Sequence, residues 1–227
     1  MKCLYGIGVG PGDPEMMTML AVRTMRESDV ILVPGETSEK SVAFRIAAGA
    51  CPEIKAKEII AVAMPMTKDR EILRASHKAA ADTAIRFLDE GKQVSFLTLG
   101  DPTVYSTYMY VHRLVGARGY ETRIVNGITS FCAAAARLNM SLTENSDELH
   151  VLPASYQIEE GLLLSGTKVL MKAGKKMAEV KSTLDQAGKN GFMVENCCME
   201  GEKIYSRTED IPDNAGYFSL LIVKEDL

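Results

Sequence analysis

Long apolar runs are missing from this 227-residue chain, and none approaches the roughly 20 residues that cross a bilayer. An excess of basic residues is missing too. The 26 lysines and arginines are outnumbered by 30 aspartates and glutamates, and the resulting formal charge of -4 leaves no broad electrostatic footprint for DNA or RNA. Local basic clusters could still grip an anionic small molecule. Five cysteines, an odd number with Cys197 and Cys198 adjacent, make no disulfide framework. Cys3, Cys51 and Cys132 lack paired metal spacing, and His77, His112 and His150 lie far apart in the chain. No protein-bound metal is expected, and the thiols read as small buried apolar groups. The segment Met1 to Tyr5 runs straight into a glycine loop without the apolar core of a signal peptide. The expectation is a soluble, cytoplasmic protein in a reducing compartment.

What is present is an ordinary globular composition, 46% hydrophobic and 25% charged. The length fits one large domain or two of about 100 residues each. Strand and helix patterns alternate, which argues for an α/β fold with a mostly parallel sheet. Strands are expected over 2–9, 29–33, 59–64 and 94–99. Helices are expected from Pro14, with Asp13 as cap, and over 41–49, 69–90 and 103–115. The glycine punctuation Gly116-Ala117-Arg118-Gly119 marks the expected hinge between domains 1–118 and 119–227. The second domain reads as mixed, with strands over 122–125, 149–152, 168–172, 192–197 and 217–224 and helices over 129–138 and 176–186.

Three glycine-bearing strand exits carry the chemistry. The central one, Val94-Ser95-Phe96-Leu97-Thr98-Leu99-Gly100-Asp101-Pro102-Thr103-Val104-Tyr105, is an apolar strand that stops at Gly-Asp-Pro. A buried parallel strand would deliver the Asp101 carboxylate to its carboxyl end, where open α/β sheets place their ligands. Tyr105 falls one helical turn later and is expected to face the same way. The other exits are Gly6-Ile7-Gly8-Val9-Gly10-Pro11-Gly12-Asp13-Pro14 and Val125-Asn126-Gly127-Ile128-Thr129-Ser130. The first is no dinucleotide fingerprint, because the third glycine slot holds Asp13 or Pro11. It is no phosphate-binding P-loop either, because Asp13 and Pro14 follow Gly12 where lysine and a hydroxyl are needed. By itself the first exit reads equally well as a tight turn with an acidic helix cap, and Asp101 before Pro102 could be another such turn and cap.

Together and in this order, the exits resemble those of the tetrapyrrole methylase family of S-adenosylmethionine-dependent transferases, and the resemblance covers essentially the whole chain. It implies two α/β domains with a ligand cleft between them and a homodimer. It also implies S-adenosyl-L-methionine as methyl donor, with S-adenosyl-L-homocysteine as product, and a carboxylate-edged tetrapyrrole as substrate, with no nucleic acid or membrane partner. Carried over position by position, the donor would meet Pro11 on the first exit, Gly100, Asp101, Pro102, Val104 and Tyr105 on the second, and Thr129 and Ser130 on the third. Met171 and Lys172, and more weakly Cys197, Phe218 and Ser219, would serve in the second domain. Asp101 and Tyr105 are the expected catalytic residues, Asp101 helping, directly or through water, to remove the proton from the methylated carbon. Wording around 97–108, 126–135 and 217–223 fits the branch that methylates a meso carbon. Pro34 stands where the uroporphyrinogen methylases carry aspartate, and Asn126-Gly127 replaces the usual Pro-Gly. Arg45, Arg113, Lys172 and Lys175 are candidate partners for substrate carboxylates. A family member acting at another macrocycle carbon and a non-catalytic binding module remain the alternatives.

Overall fold

The computed structural model describes residues 2–153 and 159–224, and the chain divides into two compact units, Met1–Thr129 and Ser130–Leu227. Among the described residues no helix is long and apolar enough to cross a membrane.

Unit 1 runs β1 (Cys3–Gly8), α1 (Met19–Glu27), β2 (Val30–Pro34), α2 (Val42–Ala50), β3 (Glu58–Val62), α3 (Arg70–Asp89), β4 (Val94–Thr98), α4 (Tyr108–Gly116) and β5 (Glu121–Val125). The five strands form one parallel sheet in the order β3-β2-β4-β1-β5. The two-residue period of a strand explains the layers. Val30 and Leu32 of β2 join Leu4, Val94 and Phe96 against Ala84 and Phe87 of α3 and Val111 and Val115 of α4. Ile31 and Val33 join Ile7 and Leu97 against Ala21 and Met25 of α1 and Ile46 and Ala47 of α2. Both faces are covered, so the central strands read as continuous apolar runs.

The first three helices start at side-chain caps. Asp69 accepts from the Glu71 and Ile72 amides at 2.8 and 3.2 Å to begin α3, and Thr18 accepts from Ala21 at 3.1 Å to begin α1. Asp13 does cap a helical turn, but only the 3-10 turn Pro14–Met16, and α1 opens at Met19 under its own cap. Leu20, near the start of α1, lies half-exposed. The segment after Gly-Asp-Pro also departs from the expected helix over 103–115. Residues 102–107 form turns, and α4 begins at Tyr108.

The expected boundary at 118/119 is corrected as well. β5 lies beyond that hinge yet pairs with β1 along its whole length and adds Val125 to the α1/α2 core, so unit 1 extends to Thr129.

Unit 2 runs α5 (Ser130–Arg137), β6 (Leu149–Pro153), α6 (Glu159–Leu162), β7 (Thr167–Met171), α7 (Met177–Gln186), β8 (Gly191–Glu195), β9 (Lys203–Tyr205) and β10 (Ser219–Val223). Its sheet has the order β6-β7-β10-β8-β9 and is mixed: β6 and β7 are parallel, and β10 runs antiparallel to both β7 and β8. Leu170, Met193, Leu221 and Val223 pack against Met177, Val180 and Leu184 of α7. β9, three residues long, is too short for a periodic signal in the sequence.

Candidate functional site

At the carboxyl edge of the unit 1 sheet, β4, β1 and β5 end side by side, and their exits touch through backbone. Gly10 and Gly100 exchange amide hydrogen bonds in an isolated antiparallel bridge, Gly100 donating to Gly10 at 2.8 Å and Gly10 to Gly100 at 3.2 Å. Both have left-handed backbones, φ 77° and 69°, a conformation that costs side-chain-bearing residues roughly 1–2 kcal/mol. The third exit lies equally close. A Cβ built on Gly8 would stand 2.5 Å from the Gly127 nitrogen and 2.6 Å from the Gly100 carbonyl oxygen, so only backbone fits there.

Asp101 ties the second exit to the third. Asp101 is 6% exposed, and its carboxylate accepts from donors of the same edge. Oδ1 accepts from the Thr103 amide at 2.7 Å and the Thr103 hydroxyl at 2.5 Å. Oδ2 accepts from the Asn126 side-chain amide and the Gly127 amide, each at 3.0 Å. Burial pushes the Asp101 carboxyl up, but the bonds from Thr103, Asn126 and Gly127 together outweigh it and hold the group below its ordinary value. Such a carboxylate stays ionised and is a weak base. Four donors meet the carboxylate, and through them it joins the Thr103 turn to the third exit.

Tyr105 is also repositioned. It sits in the turn with φ 48°, its side chain about half exposed, and not one helical turn along from Asp101 as the helix expectation required. Pro11 and Pro102 are buried and Val104 partly so. Thr129 closes the third exit with a buried hydroxyl that has no hydrogen-bond partner among the described residues, and Ser130 opens α5. A buried polar atom left unpaired costs stability unless a ligand or water meets it.

Two residues of this edge escaped sequence reasoning. Asn126, read only as a departure from Pro-Gly, supplies the amide that holds Asp101, a bond that proline could not make. Thr18, besides capping α1, donates its hydroxyl to the Asn126 carbonyl at 3.4 Å and so joins the first exit to the third. A polar pair 25 or 108 positions apart leaves no local pattern to read.

In unit 2 the carried-over residues also gather at one sheet edge. Met171 ends β7, opposite Leu220, and Lys172 follows it with φ 62°. Ser219 begins β10 opposite Glu195, the last residue of β8, and its hydroxyl donates to the Gly216 carbonyl at 2.7 Å. Phe218 stacks edge-on against Tyr217, with its carbonyl accepting from Asn196 at 3.0 Å. Cys197 follows two residues after β8, and burial pushes its thiol up. Of the candidate cations, Arg45 is exposed on α2, and Arg113 lies 5.0 Å over the Tyr110 ring while bonding the Met109 carbonyl, as a helix-surface cation does. The Lys175 side chain lies outside the described residues.

Glycine-bounded strand ends converging at the carboxyl edge of an open parallel sheet define an α/β protein with a small-molecule site. A family model, Tetrapyrrole (Corrin/Porphyrin) Methylases, matches residues 3–212, and the chain belongs to that family. It is 33% identical to the probable cobalt-precorrin-2 C(20)-methyltransferase of Methanocaldococcus jannaschii, over 99% of this chain and 96% of that protein. It is 30% identical to the cobalt-precorrin-2 C(20)-methyltransferase of Salmonella typhimurium, over 98% and 96%. Among solved structures, uroporphyrin-III C-methyl transferase from Thermus thermophilus, complexed with S-adenyl homocysteine, shares the fold at a TM-score of 0.73. That likeness has 21% identity and covers 98% of this chain and 97% of that one.

Proposed function

We infer that the protein is an S-adenosylmethionine-dependent C-methyltransferase that methylates C20 of precorrin-2 or cobalt-precorrin-2, giving the corresponding precorrin-3 in corrin construction. Support comes from near-full-length relatives bearing that activity in their names. The observation that carries the reading is the convergence of the three exits on Gly8, Gly100 and Gly127, with the unpaired Thr129 hydroxyl at their margin. That hydroxyl and the adjoining peptide groups suit a donor bearing amine, carboxylate and ribose hydroxyls, so the residues present fit the group.

The bound donor supplies a methyl already activated on a sulfonium. The chain's share is alignment and exclusion of water. Pro11, Gly100, Pro102 and Val104 shape the wall, Thr129 and Ser130 contribute hydroxyls, and Asp101 fixes the second exit to the third. Tyr105, exposed on its turn, faces the substrate side in this reading, and the C20 proton leaves to water. Met171, Lys172, Cys197, Phe218 and Ser219 are assigned to the donor on the resemblance alone. Cobalt, where present, belongs to the macrocycle. Cytoplasmic location and a homodimer complete the proposal, the latter checked by light scattering on the purified chain. The decisive experiment incubates the protein with methyl-labelled donor and either metal-free or cobalt-bound precorrin-2. Label at C20 is the expected result, and label at another carbon, or none, overturns the assignment.

A further inference from the structure

Unit 2 also carries a cluster of which only Cys197 has a place in the proposed methyl transfer, and that on the resemblance alone. Cys197 and Cys198 lie on the turn after β8, and Glu202 follows on the same connection. Along an extended strand neighbouring side chains point to opposite faces. Here Asn196 and Cys198 are left-handed, φ 51° and 60°, and the two sulfurs come to 3.6 Å. Two 2.3 Å zinc–sulfur bonds at the tetrahedral angle hold their sulfurs about 3.8 Å apart, so the pair is close to the bite of a chelate. The Glu202 carboxylate stands with both sulfurs inside one 4.8 Å group. It is held there by the Cys198 amide at 2.6 Å and by Arg137 Nε, from α5, at 3.1 Å.

We propose that Cys197, Cys198 and Glu202 form a binding site for a thiophilic divalent cation of the zinc and cadmium class. The charges match: two thiolates and one carboxylate against the Arg137 guanidinium leave a net charge of minus two. On binding, each thiol loses its proton to solvent as a sulfur–metal bond forms, with no change of oxidation state, and water takes the fourth position. Adjacent cysteines lack the two-residue separation by which metal pairs are read from sequence, and only the turn brings them together.

Cadmium is the probe, titrated into the full, reduced, metal-free chain while the ultraviolet thiolate-to-cadmium charge-transfer band is followed. One equivalent with the intensity of two thiolates is expected. Glu202→Gln should weaken binding at least about tenfold, and Cys132→Ser, which removes an exposed thiol, should change nothing. Loss of the tight phase in Cys197→Ser and in Cys198→Ser supports the site; a band that survives the double substitution, or that has single-thiolate intensity, overturns it. Alkylation mapping on the unaltered protein decides the matter if those variants do not fold. Cadmium should protect Cys197 and Cys198 together, and protection of neither, or of one alone, refutes the proposal. None of these readouts depends on methyl transfer.

Discussion

The two sheets of this protein solve one problem in different ways. The parallel sheet of unit 1 brings β4, β1 and β5 to a common edge because all its strands point one way, and glycines let the exits meet backbone to backbone. The mixed sheet of unit 2 assembles its edge from the ends of β7 and β8 and the beginning of β10. There the left-handed positions next to the strand ends include Lys172, Asn196 and Cys198, which carry side chains. Close backbone approach requires glycine at both edges, since a Cβ on Gly174 would stand 2.6 Å from the Gly216 carbonyl oxygen. The left-handed Lys172 of the second edge bears a side chain, however, and there a change to glycine should act in the opposite direction.

The largest effect is expected at Gly127. Gly127→Ala drives a methyl into the Gly8 and Gly100 backbones, and a loss of about 3 kcal/mol of unfolding free energy in urea is expected, together with loss of S-adenosylhomocysteine affinity by calorimetry. A fully stable variant would break the comparison. Asp101→Ala comes next. It leaves the Asn126 and Thr103 donors without their acceptor, for about 2 kcal/mol and at least about tenfold weaker product binding.

The pH dependence of that residue has a definite sign. The folded protein holds the Asp101 carboxyl below its ordinary value near 3.8. Its contribution is fully present above that value and disappears as pH falls through the lower, folded value. Asp101→Asn should therefore flatten the acid limb of a denaturation profile below about pH 4 and leave the slope at neutral pH unchanged. An unchanged acid limb would remove the carboxylate from the network.

Asn126→Ala, which deletes one amide donor, is expected to cost about 1 kcal/mol and to weaken product binding by a few-fold, measured in the same assays. The smallest effect, and one of opposite sign, belongs to Lys172→Gly. Relief of its left-handed backbone should raise stability by up to about 1 kcal/mol, offset in part by the greater freedom of the unfolded chain. A clear loss there would show that the lysine side chain, not the backbone, organises the second edge.

These contrasts also explain what the sequence revealed. Apolar strand runs, caps such as Asp69 and the Gly-Asp-Pro exit are local signals, and the elements of unit 1 stand within a few residues of expectation. β5 was assigned to the wrong unit because Gly116 and Gly119 mark only a tight turn between α4 and its strand, and pairing with β1 cannot be seen from punctuation. Tyr105 was placed on a helix because its spacing from Asp101 suits one, whereas Asp101 spends its side chain on the Thr103 turn and delays α4 to Tyr108. The charge state of Asp101 needed Asn126 and Gly127 from another exit. In unit 2 the edge residues have no motif of their own, and the resemblance alone brought Met171, Cys197 and Ser219 forward.

The bridge between Gly10 and Gly100 has a further consequence for how the molecule matures. Its halves are separated by most of unit 1, so the clasp cannot close until β1 lies beside β4. Contacts between distant chain segments form late, because the intervening chain must first surrender its entropy. In pulse-labelling during refolding, the Gly10 and Gly100 amides should acquire protection together and after those of α3, and binding competence should arise in that last phase.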